Sequence, residues 1–290
     1  MMASPTKRRS LRVGSGLALV LVAVAVAAQD PEKSIFVSAL DASGRPVVDL
    51  TAEDFAIRED GVERRVVRAR LTAEPLRIAL LADTTSVADR SVYNIRAGLK
   101  AFIQDVLAAS PRSEISLWEF GLTARRIRDF TSDAAALEKD AARLVPRSQA
   151  GSALLDAVHD TSEALAKSPG PRRVIVVLNF EPNDEQSRQQ PKKINDALIR
   201  SRAQLWSVTV QTGSARQLDF LLTPLARNAG GRREFILSDS AIEPHLRRYA
   251  AALTAQYEVT YQRPPGPVQI VQTGVRRDGV TLVAGIVAPQ

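Results

Sequence analysis

Polar side chains that could bind a ligand or take part in a reaction cluster at three places in this chain. The first group follows the apolar run 76–82, the second lies in the short loop 149–152 before a helical pattern, and the third ends the apolar run 174–178. Open α/β sheets bind ligands beyond the carboxyl ends of their strands, so these three segments can meet at one edge. The candidate site residues are Asp83, Thr85, Ser86, Ser152, Asn179 and Glu181.

Few enzyme classes fit the composition of the chain. It has two histidines and no cysteine, which excludes thiolate nucleophiles and thiolate metal sites. His159 lies seven residues after Ser152 and three after Asp156, and about two turns of helix would separate it from the serine. His245 lies on another predicted helix, and we expect both histidines on helix surfaces. We therefore predict that the protein is not an enzyme, with a hydrolase as the less favoured alternative.

The elements that must position these residues alternate between strand and helix patterns. Near-continuous apolar runs are typical of strands covered on both faces, and apolar residues from Val92 to Leu107 recur at steps of three and four, as on one helix face. This alternation predicts an α/β fold with a doubly wound, mostly parallel sheet. Further strands are predicted at 115–120, 125–130, 205–210 and 234–237.

Short strands at both ends of this region predict a small flanking β module. Asp60-Gly61 is a strong hairpin signal, followed by a return strand at 62–67. Further strands are predicted at 257–262, 268–273 and 280–287, and we expect them to pair with the first group. The predicted division is a signal peptide at 1–28, an N-terminal β segment at 29–74, a central domain at 75–255 and a C-terminal β segment at 256–290.

The first 28 residues have the composition of an export signal. Residues 1–12 contain four basic residues and no acidic one. An apolar stretch follows at 13–28 and ends with small residues. About 16 apolar residues fall short of the roughly 20 that span a bilayer, so a cleaved signal is favoured over an uncleaved membrane anchor. We therefore expect an exported protein, periplasmic or extracellular, without a membrane association beyond the export signal.

The formal net charge of +7 by itself suggests an acidic partner such as nucleic acid. Without residues 1–28 the chain has 35 basic and 32 acidic residues, a net charge of +3. The remaining basic pairs are scattered and do not alternate with aromatic residues. We therefore expect a protein partner and no nucleic acid.

Several sequence landmarks occur together in the order of a known family. They are GRPVVDLTAEDFAIREDG (44–61), FTSD (130–133), GSALLDAV (151–158), GGRREFILSD (230–239) and QYEVTYQRP (256–264). This order resembles the von Willebrand factor A domain, and more closely the secreted "VWFA-related" group common in Acidobacteria. The resemblance covers most of residues 34–285 and identifies 75–255 as the domain similar to this family. It implies a protein-interaction module that docks a partner on the loops after strands one and four.

The resemblance also implies a metal-ion-dependent adhesion site, which here is degenerate. Asp83 matches the first aspartate of the motif, Thr85 keeps a ligand oxygen in place of serine, and Ser152 keeps a hydroxyl in place of threonine. Val87 replaces a ligand serine, and Asn179 replaces the second aspartate and loses its charge. Mg²⁺ prefers six hard oxygen ligands, so we expect no cofactor and a hydrogen-bonded loop around Asp83. A magnesium-dependent adhesion protein, with Asp83, Thr85 and Ser152 as ligands, is the alternative.

Overall fold

The structure is a computed structural model that describes Met1 and residues 31–147, 151–170, 172–213, 218–267 and 270–284. Its strands are β1 (Glu32–Leu40), β2 (Phe55–Glu59), β3 (Val62–Arg64), β4 (Val66–Leu71), β5 (Leu76–Asp83), β6 (Glu114–Phe120), β7 (Ala124–Thr131), β8 (Arg172–Glu181), β9 (Ala203–Gln211), β10 (Arg233–Ile236), β11 (Tyr257–Gln262), β12 (Val271–Val275) and β13 (Thr281–Val283). Its α-helices are α1 (Val92–Ala109), α2 (Ala134–Ala141), α3 (Leu154–Ala166), α4 (Pro191–Ser201), α5 (Asp219–Asn228) and α6 (Ile242–Thr254). The predicted signal peptide, and Gln149 and Ala150 of the predicted site loop, lie outside the described residues.

Six strands form the central sheet, in the order β10-β9-β8-β5-β6-β7. The first five of these are parallel and β7 is antiparallel to β6 at the edge. β5 and β8 lie in the middle and are buried along nearly their whole length, as their continuous apolar sequences require. The predicted doubly wound, mostly parallel α/β fold is confirmed.

Helices cover both faces of the central sheet. Buried residues of α1, α2 and α6 form one core with the sheet, and buried residues of α3, α4 and α5 form a second core on the other face. α1 and α6 pack closely because Gly98 has no side chain, and a Cβ there would lie 2.6 Å from Cγ2 of Ile242. These two cores hold the strand ends, and therefore the candidate site, in fixed positions.

Strands from both ends of the chain form the flanking β module. One sheet has the order β13-β1-β11-β4, and a second has the order β12-β2-β3. Their shared core includes Phe55 and Tyr257, whose ring centroids lie 5.3 Å apart. The predicted flanking β module is confirmed, and the predicted domain boundaries stay predictions.

The hairpin at Asp60-Gly61 forms as predicted, but its return strand differs from the expectation. Both turn residues have positive φ angles, 48° and 84°, and the turn joins β2 to β3. The single strand predicted at 62–67 divides at Arg65, because β3 pairs with β2 whereas β4 pairs with β11 of the other sheet. The chain thus passes from one sheet to the other at this residue. Among the described residues, no helix has the length and apolarity needed to cross a bilayer.

Candidate functional site

Asp83 ends β5 at the carboxyl edge of the sheet, and its carboxylate is buried. One oxygen accepts a hydrogen bond from the Thr85 backbone N–H at 2.8 Å, and the other accepts one from the Phe180 backbone N–H at 3.0 Å. The first bond shapes the turn into a short 3₁₀ helix at Ser86–Ser91, and the second joins the end of β5 to β8. Asp83 therefore ties the ends of two central strands together, as the hydrogen-bonded-loop interpretation predicts.

The environment of Asp83 makes its ionisation unfavourable. Burial raises the pKa of the Asp83 carboxyl to about 6, hydrogen bonds from Thr85 and Phe180 oppose the rise, and the charge of Glu185 adds to it. A buried carboxylate without a cationic partner is costly, since only the hydrogen bonds compensate its lost hydration. The group is therefore close to its titration range at neutral pH.

A segment that we name the strap, residues 183–189, lies across the site. Asn183 Nδ2 donates a hydrogen bond of 2.8 Å to the Thr85 hydroxyl oxygen at one end of the strap. In its middle, Ser152 N–H donates to the Asp184 carbonyl and Gln186 N–H donates to the Ser152 carbonyl, each at 2.6 Å. The strap therefore bridges the loop after β5 and the loop before α3.

Asp156 on α3 fixes the far end of the strap. Its carboxylate accepts hydrogen bonds from the backbone N–H groups of Arg188 and Gln189 at 3.0 and 2.9 Å. Its own N–H donates to the Ser187 hydroxyl at 2.9 Å. These bonds attach the polar segment after β8 to the first turn of α3. The first turn of a helix has free backbone N–H groups, which explains why a polar strap binds there.

Glu185 of the strap was not among the predicted site residues, although it lies at the centre of the site. Burial raises the pKa of the Glu185 carboxyl, and hydrogen bonds from Ser187, from the Leu155 backbone and from the Ser152 hydroxyl oppose the rise. The sequence carries one signal for it, an acidic pair directly after a buried strand. That signal does not distinguish Glu185 from the exposed Asp184 next to it.

Asn179 and Glu181 belong to a neighbouring polar network and make no hydrogen bond to Asp83 in the described structure. The Asn179 side-chain oxygen accepts hydrogen bonds from the hydroxyls of Ser207 and Thr209 on β9, at 3.1 and 2.9 Å. Glu181 is buried in an ion pair with Arg233. Burial raises the pKa of the Glu181 carboxyl, and the Arg233 charge opposes the rise. These two candidates therefore stabilise the contact among β8, β9 and β10.

The two remaining residues of the motif loop have different surroundings. Ser86 is exposed at the start of the 3₁₀ helix, whereas Val87 is partly buried and packs on the core that contains α1. An apolar side chain at position 87 thus contributes packing in place of a ligand oxygen.

This arrangement does not fit Mg²⁺. Both oxygens of Asp83 and the hydroxyl oxygen of Thr85 accept hydrogen bonds from protein N–H groups, and the Asn179 oxygen faces β9. Across the described ranges, no group of three or more acidic, histidine or cysteine side chains has a metal-binding arrangement. A hard cation at these oxygens would have to displace or share their N–H partners.

The described residues do not form a Ser-His-Asp triad. The Asp156 carboxylate binds the strap, and His159 Nδ1 lies 3.2 Å from an oxygen of Asp160. His245 lies 3.8 Å from Glu234 on β10. The two imidazoles are 19 % and 17 % exposed, less than expected for helix-surface residues. Neither makes a hydrogen bond to Ser152 within the part of the chain that the structure describes.

Exposed apolar side chains surround the site, and we name them the apolar rim. They are Tyr93 (79 % exposed), Leu122 (41 %), Val145 (60 %), Phe220 (80 %) and Leu237 (84 %). Each lies on a loop or in the first turn of a helix at the carboxyl edge of the central sheet. Within described residues 76–254 the rim includes every large apolar side chain that is strongly exposed. Sequence reasoning missed the rim, since each member is an isolated apolar residue next to a strand or helix end.

Replacing Asp83 with asparagine should change how stability depends on pH. The folded-state pKa of about 6 exceeds the ordinary value of 3.8, so the folded chain binds more protons between about pH 4 and 6 and loses stability as pH rises through that window. Two pKa units correspond to about 3 kcal/mol. Urea unfolding should therefore show the Asp83→Asn variant gaining about 2–3 kcal/mol relative to the wild type between pH 4 and 7.

The exposed residue Ser86, in the same loop, supplies the control for this measurement. Ser86→Ala removes no ionisable group and should keep a constant stability difference from the wild type across the same pH range. A constant difference for Asp83→Asn as well would show that burial does not perturb the Asp83 carboxyl.

No family model and no curated protein sequence matches this chain. Solved structures do match it. A von Willebrand factor type A protein from Catenulispora acidiphila superposes with a TM-score of 0.52 at 13 % identity, over 90 % of this chain and 74 % of that one. Proximal thread matrix protein 1 from the mussel byssus superposes with a TM-score of 0.53 at 13 % identity, over 67 % of this chain and 50 % of that one. At these identities the likeness concerns the fold alone, and the fold of this chain is that of a von Willebrand factor A domain.

Proposed function

We propose that this protein is an exported interaction module that docks a protein partner on the carboxyl edge of its central sheet without a metal ion. The apolar rim is the observation that carries this proposal. Its five side chains are between 41 % and 84 % exposed on loops and first helical turns at one edge. Exposed apolar groups gathered on one side of a domain mark surfaces that a partner covers, and loops on a rigid sheet are common binding sites.

The buried polar groups beneath the rim support docking without a metal. The strap donates a hydrogen bond to the Thr85 hydroxyl oxygen and pairs with the backbone of Ser152, so these groups hold the loops in place. A partner would then gain most of its binding energy from the apolar side chains, as at the centres of protein interfaces. Leu122 of the rim lies close to the loop before α3, since a Cβ on Gly151 would lie only 2.8 Å from the Leu122 Cδ2. The strap and the rim together would determine which partner fits.

The sequence of residues 1–28 supports export. Its basic start, apolar centre and small residues at 25–28 are the features that a signal peptidase reads. The mature chain should start near Gln29. Mass spectrometry of the protein from its native cells should give that terminus, with the protein in the periplasmic or extracellular fraction. A full-length protein in the membrane fraction would contradict the proposal and favour the uncleaved anchor.

Capture from an extract of the native cell envelope tests the docking surface. The rim variant Val145→Asp with Phe220→Asp should retain at least about tenfold less of the partner than the wild type, because apolar anchors contribute roughly 2 kcal/mol or more. The matched control is Val48→Asp with Val62→Asp, which alters two exposed valines of the β module. This control should retain the partner, and EDTA should leave capture by the wild type unchanged.

Three results of the capture experiment would contradict the proposal. Equal loss in the rim and control variants would place docking elsewhere. Loss of capture in EDTA would favour the magnesium-dependent adhesion protein. If the wild-type chain retains no protein that an unrelated bait does not also retain, the proposed interaction function is contradicted.

Titration with Mg²⁺ or Mn²⁺ tests the metal-free site separately. Isothermal titration calorimetry of the EDTA-treated protein should show no binding tighter than millimolar, because N–H donors already occupy the oxygens of Asp83 and Thr85. Micromolar binding that disappears in the Asp83→Ala variant would overturn this conclusion. Micromolar binding that persists in that variant would place a cation site elsewhere on the chain.

A further inference from the structure

A cavity of about 280 Å³ lies at the end of the central sheet opposite the candidate site. It is enclosed between β1 of the flanking β module, the first residues of β8 and β9, and the last turns of α4 and α5. Its volume is close to the lower end of the range for small-molecule sites, roughly 300–1,000 Å³. The apolar rim and the strap lie at the other edge, so the proposed docking function does not use this cavity.

The walls of the cavity carry positive charge. Three arginines line it, Arg172, Arg173 and Arg202, and its described lining contains no acidic side chain. Burial lowers the pKa of the Arg172 guanidinium to about 10, which leaves it charged at neutral pH. The potential inside the cavity therefore favours an anion.

Two of these guanidiniums are held rigidly by backbone carbonyl groups. Arg173 donates hydrogen bonds to the carbonyl oxygens of Ser201 and Ser168, at 2.9 and 2.7 Å, near the ends of α4 and α3. Arg172 binds the carbonyl oxygens of Glu74 and Leu253. Carbonyl partners orient the guanidiniums but do not cancel their charge. Neither arginine forms an ion pair with a carboxylate in the described structure.

One donor in this wall lacks a partner. The Arg173 Nε–H is buried, and it has no hydrogen-bond acceptor in the described structure. Both Nη atoms of Arg173 already bind carbonyl groups, so a bound anion would interact with this guanidinium through its charge.

The remaining walls combine apolar and amide groups. Phe36, Leu198 and Ile199 supply an apolar surface, and Asn195 in the middle of α4 and Asn228 at the end of α5 also line the cavity. A fully hydrophilic anion such as sulfate would leave the apolar surface uncovered. A molecule with one anionic group and one apolar group would satisfy both parts of the wall.

We propose that this cavity binds a small organic carboxylate with an apolar chain, the carboxylate facing the arginine-lined wall and the chain contacting Phe36 and Leu198. Octanoate is the probe, measured by isothermal titration calorimetry on the mature protein. It should bind at a ratio of one to one with a dissociation constant below about 1 mM, which corresponds to roughly −4 kcal/mol. N-acetyl-leucyl-leucine carries the same chemistry on a peptide terminus, and comparison with octanoate distinguishes a free acid from a peptide end.

Three further compounds separate the two parts of the proposed contact. Acetate lacks the apolar chain, octanol lacks the charge and octylammonium has the opposite charge, so each should bind at least about tenfold more weakly than octanoate. Equal binding of octanol or octylammonium would overturn the role of the arginines. Equal binding of acetate would overturn the role of the apolar wall.

The variant Asn195→Asp tests the location without removing an arginine that also holds helix ends. It places a carboxylate in the cavity with little change in side-chain size and should weaken octanoate binding at least about tenfold. Gln190→Glu adds the same charge at the exposed first end of α4 and should leave binding unchanged. Equal effects of the two variants, or no octanoate binding by the wild-type protein, would overturn the proposal.

Tryptophan fluorescence gives a second readout of position. Trp206 is fully buried, and its indole N–H donates a hydrogen bond of 3.3 Å to Gln204 Oε1, on a residue that lines the cavity. Octanoate should therefore change the emission of Trp206 in the Trp118→Phe variant, which retains Trp206 as its one tryptophan. Saturable octanoate binding without an emission change in that variant would place the ligand away from this wall.

Discussion

Replacing Gly231 with alanine should destabilise the protein by at least about 3 kcal/mol, near the upper end of what an overpacked site costs. Gly231 lies between α5 and β10, where the chain passes directly over β9. A Cβ at this position would lie 1.9 Å from the Leu205 carbonyl oxygen and 2.4 Å from its carbon. These are backbone atoms in the central sheet, so no side-chain rotation can relieve the overlap. Urea unfolding followed by circular dichroism measures the loss.

The expected loss would come from moving β10 away from β9. The Gly231 N–H also donates a hydrogen bond of 2.9 Å to the Ala226 carbonyl, which ends α5, and a shift of the chain would weaken it. Gly274→Ala is the matched control, because a Cβ there would lie 3.7 Å from the Ala56 Cβ, an ordinary contact. If Gly231→Ala unfolds at the same urea concentration as this control, the close approach of Gly231 to β9 is contradicted.

Sequence patterns predicted the strands and helices of the central sheet well, because the burial of each element shows in the pattern of its own apolar residues. The central parts of β5 and β8, residues 78–82 and 174–178, have no polar residue to face solvent, so the middle of a covered sheet accommodates them. The three- and four-residue steps of α1 likewise fix its buried face. The flanking β module was less predictable, because the division of the return strand at Arg65 depends on which strands lie nearby.

The site was only partly predictable, since its geometry depends on a segment with no regular pattern. Asp83, Thr85 and Ser152 do lie together, because strand ends and a helix start must meet at the carboxyl edge. The Asn179 side chain contacts hydroxyl groups of β9 instead of Asp83. The sequence does not show which strand lies beside Asn179, and so it does not show this contact. Glu185 reaches the site through the strap, whose path follows from hydrogen bonds to residues about 30 positions earlier.

The cavity and the apolar rim, at opposite edges of the sheet, could not be predicted from the sequence either. In the sequence, Arg172 and Arg173 are one of the scattered basic pairs that indicate no nucleic-acid site. In the fold this pair binds carbonyl groups near the ends of α3, α4 and α6, because the helices that connect parallel strands end at the edge of the sheet where the strands begin. Their role therefore depends on the topology of the sheet.

The second large effect is expected for Glu59, which should cost about 3–5 kcal/mol when it is replaced by alanine. The side chain of Glu59 is fully buried in the flanking β module. It accepts a hydrogen bond of 2.9 Å from the Tyr261 hydroxyl and one of 3.1 Å from Arg64 Nε, and Arg263 Nε lies 3.5 Å away. Removing the carboxylate would leave the Arg263 guanidinium, only 6 % exposed, without its counter-charge.

Two further variants separate charge from packing at this position. Glu59→Gln keeps an acceptor for Tyr261 and should cost less than Glu59→Ala, with the difference measuring the space and hydrogen bonds that alanine loses. Glu63→Ala removes an exposed carboxylate that pairs with Arg276 at 2.7 Å, and solvent screening should limit its cost to about 1 kcal/mol or less. The free energy of unfolding in urea measures all three. Because β2 joins β3, β12 and, through Tyr261, β11, a loss below about 1 kcal/mol for Glu59→Ala would show that the charge does not hold the two small sheets together.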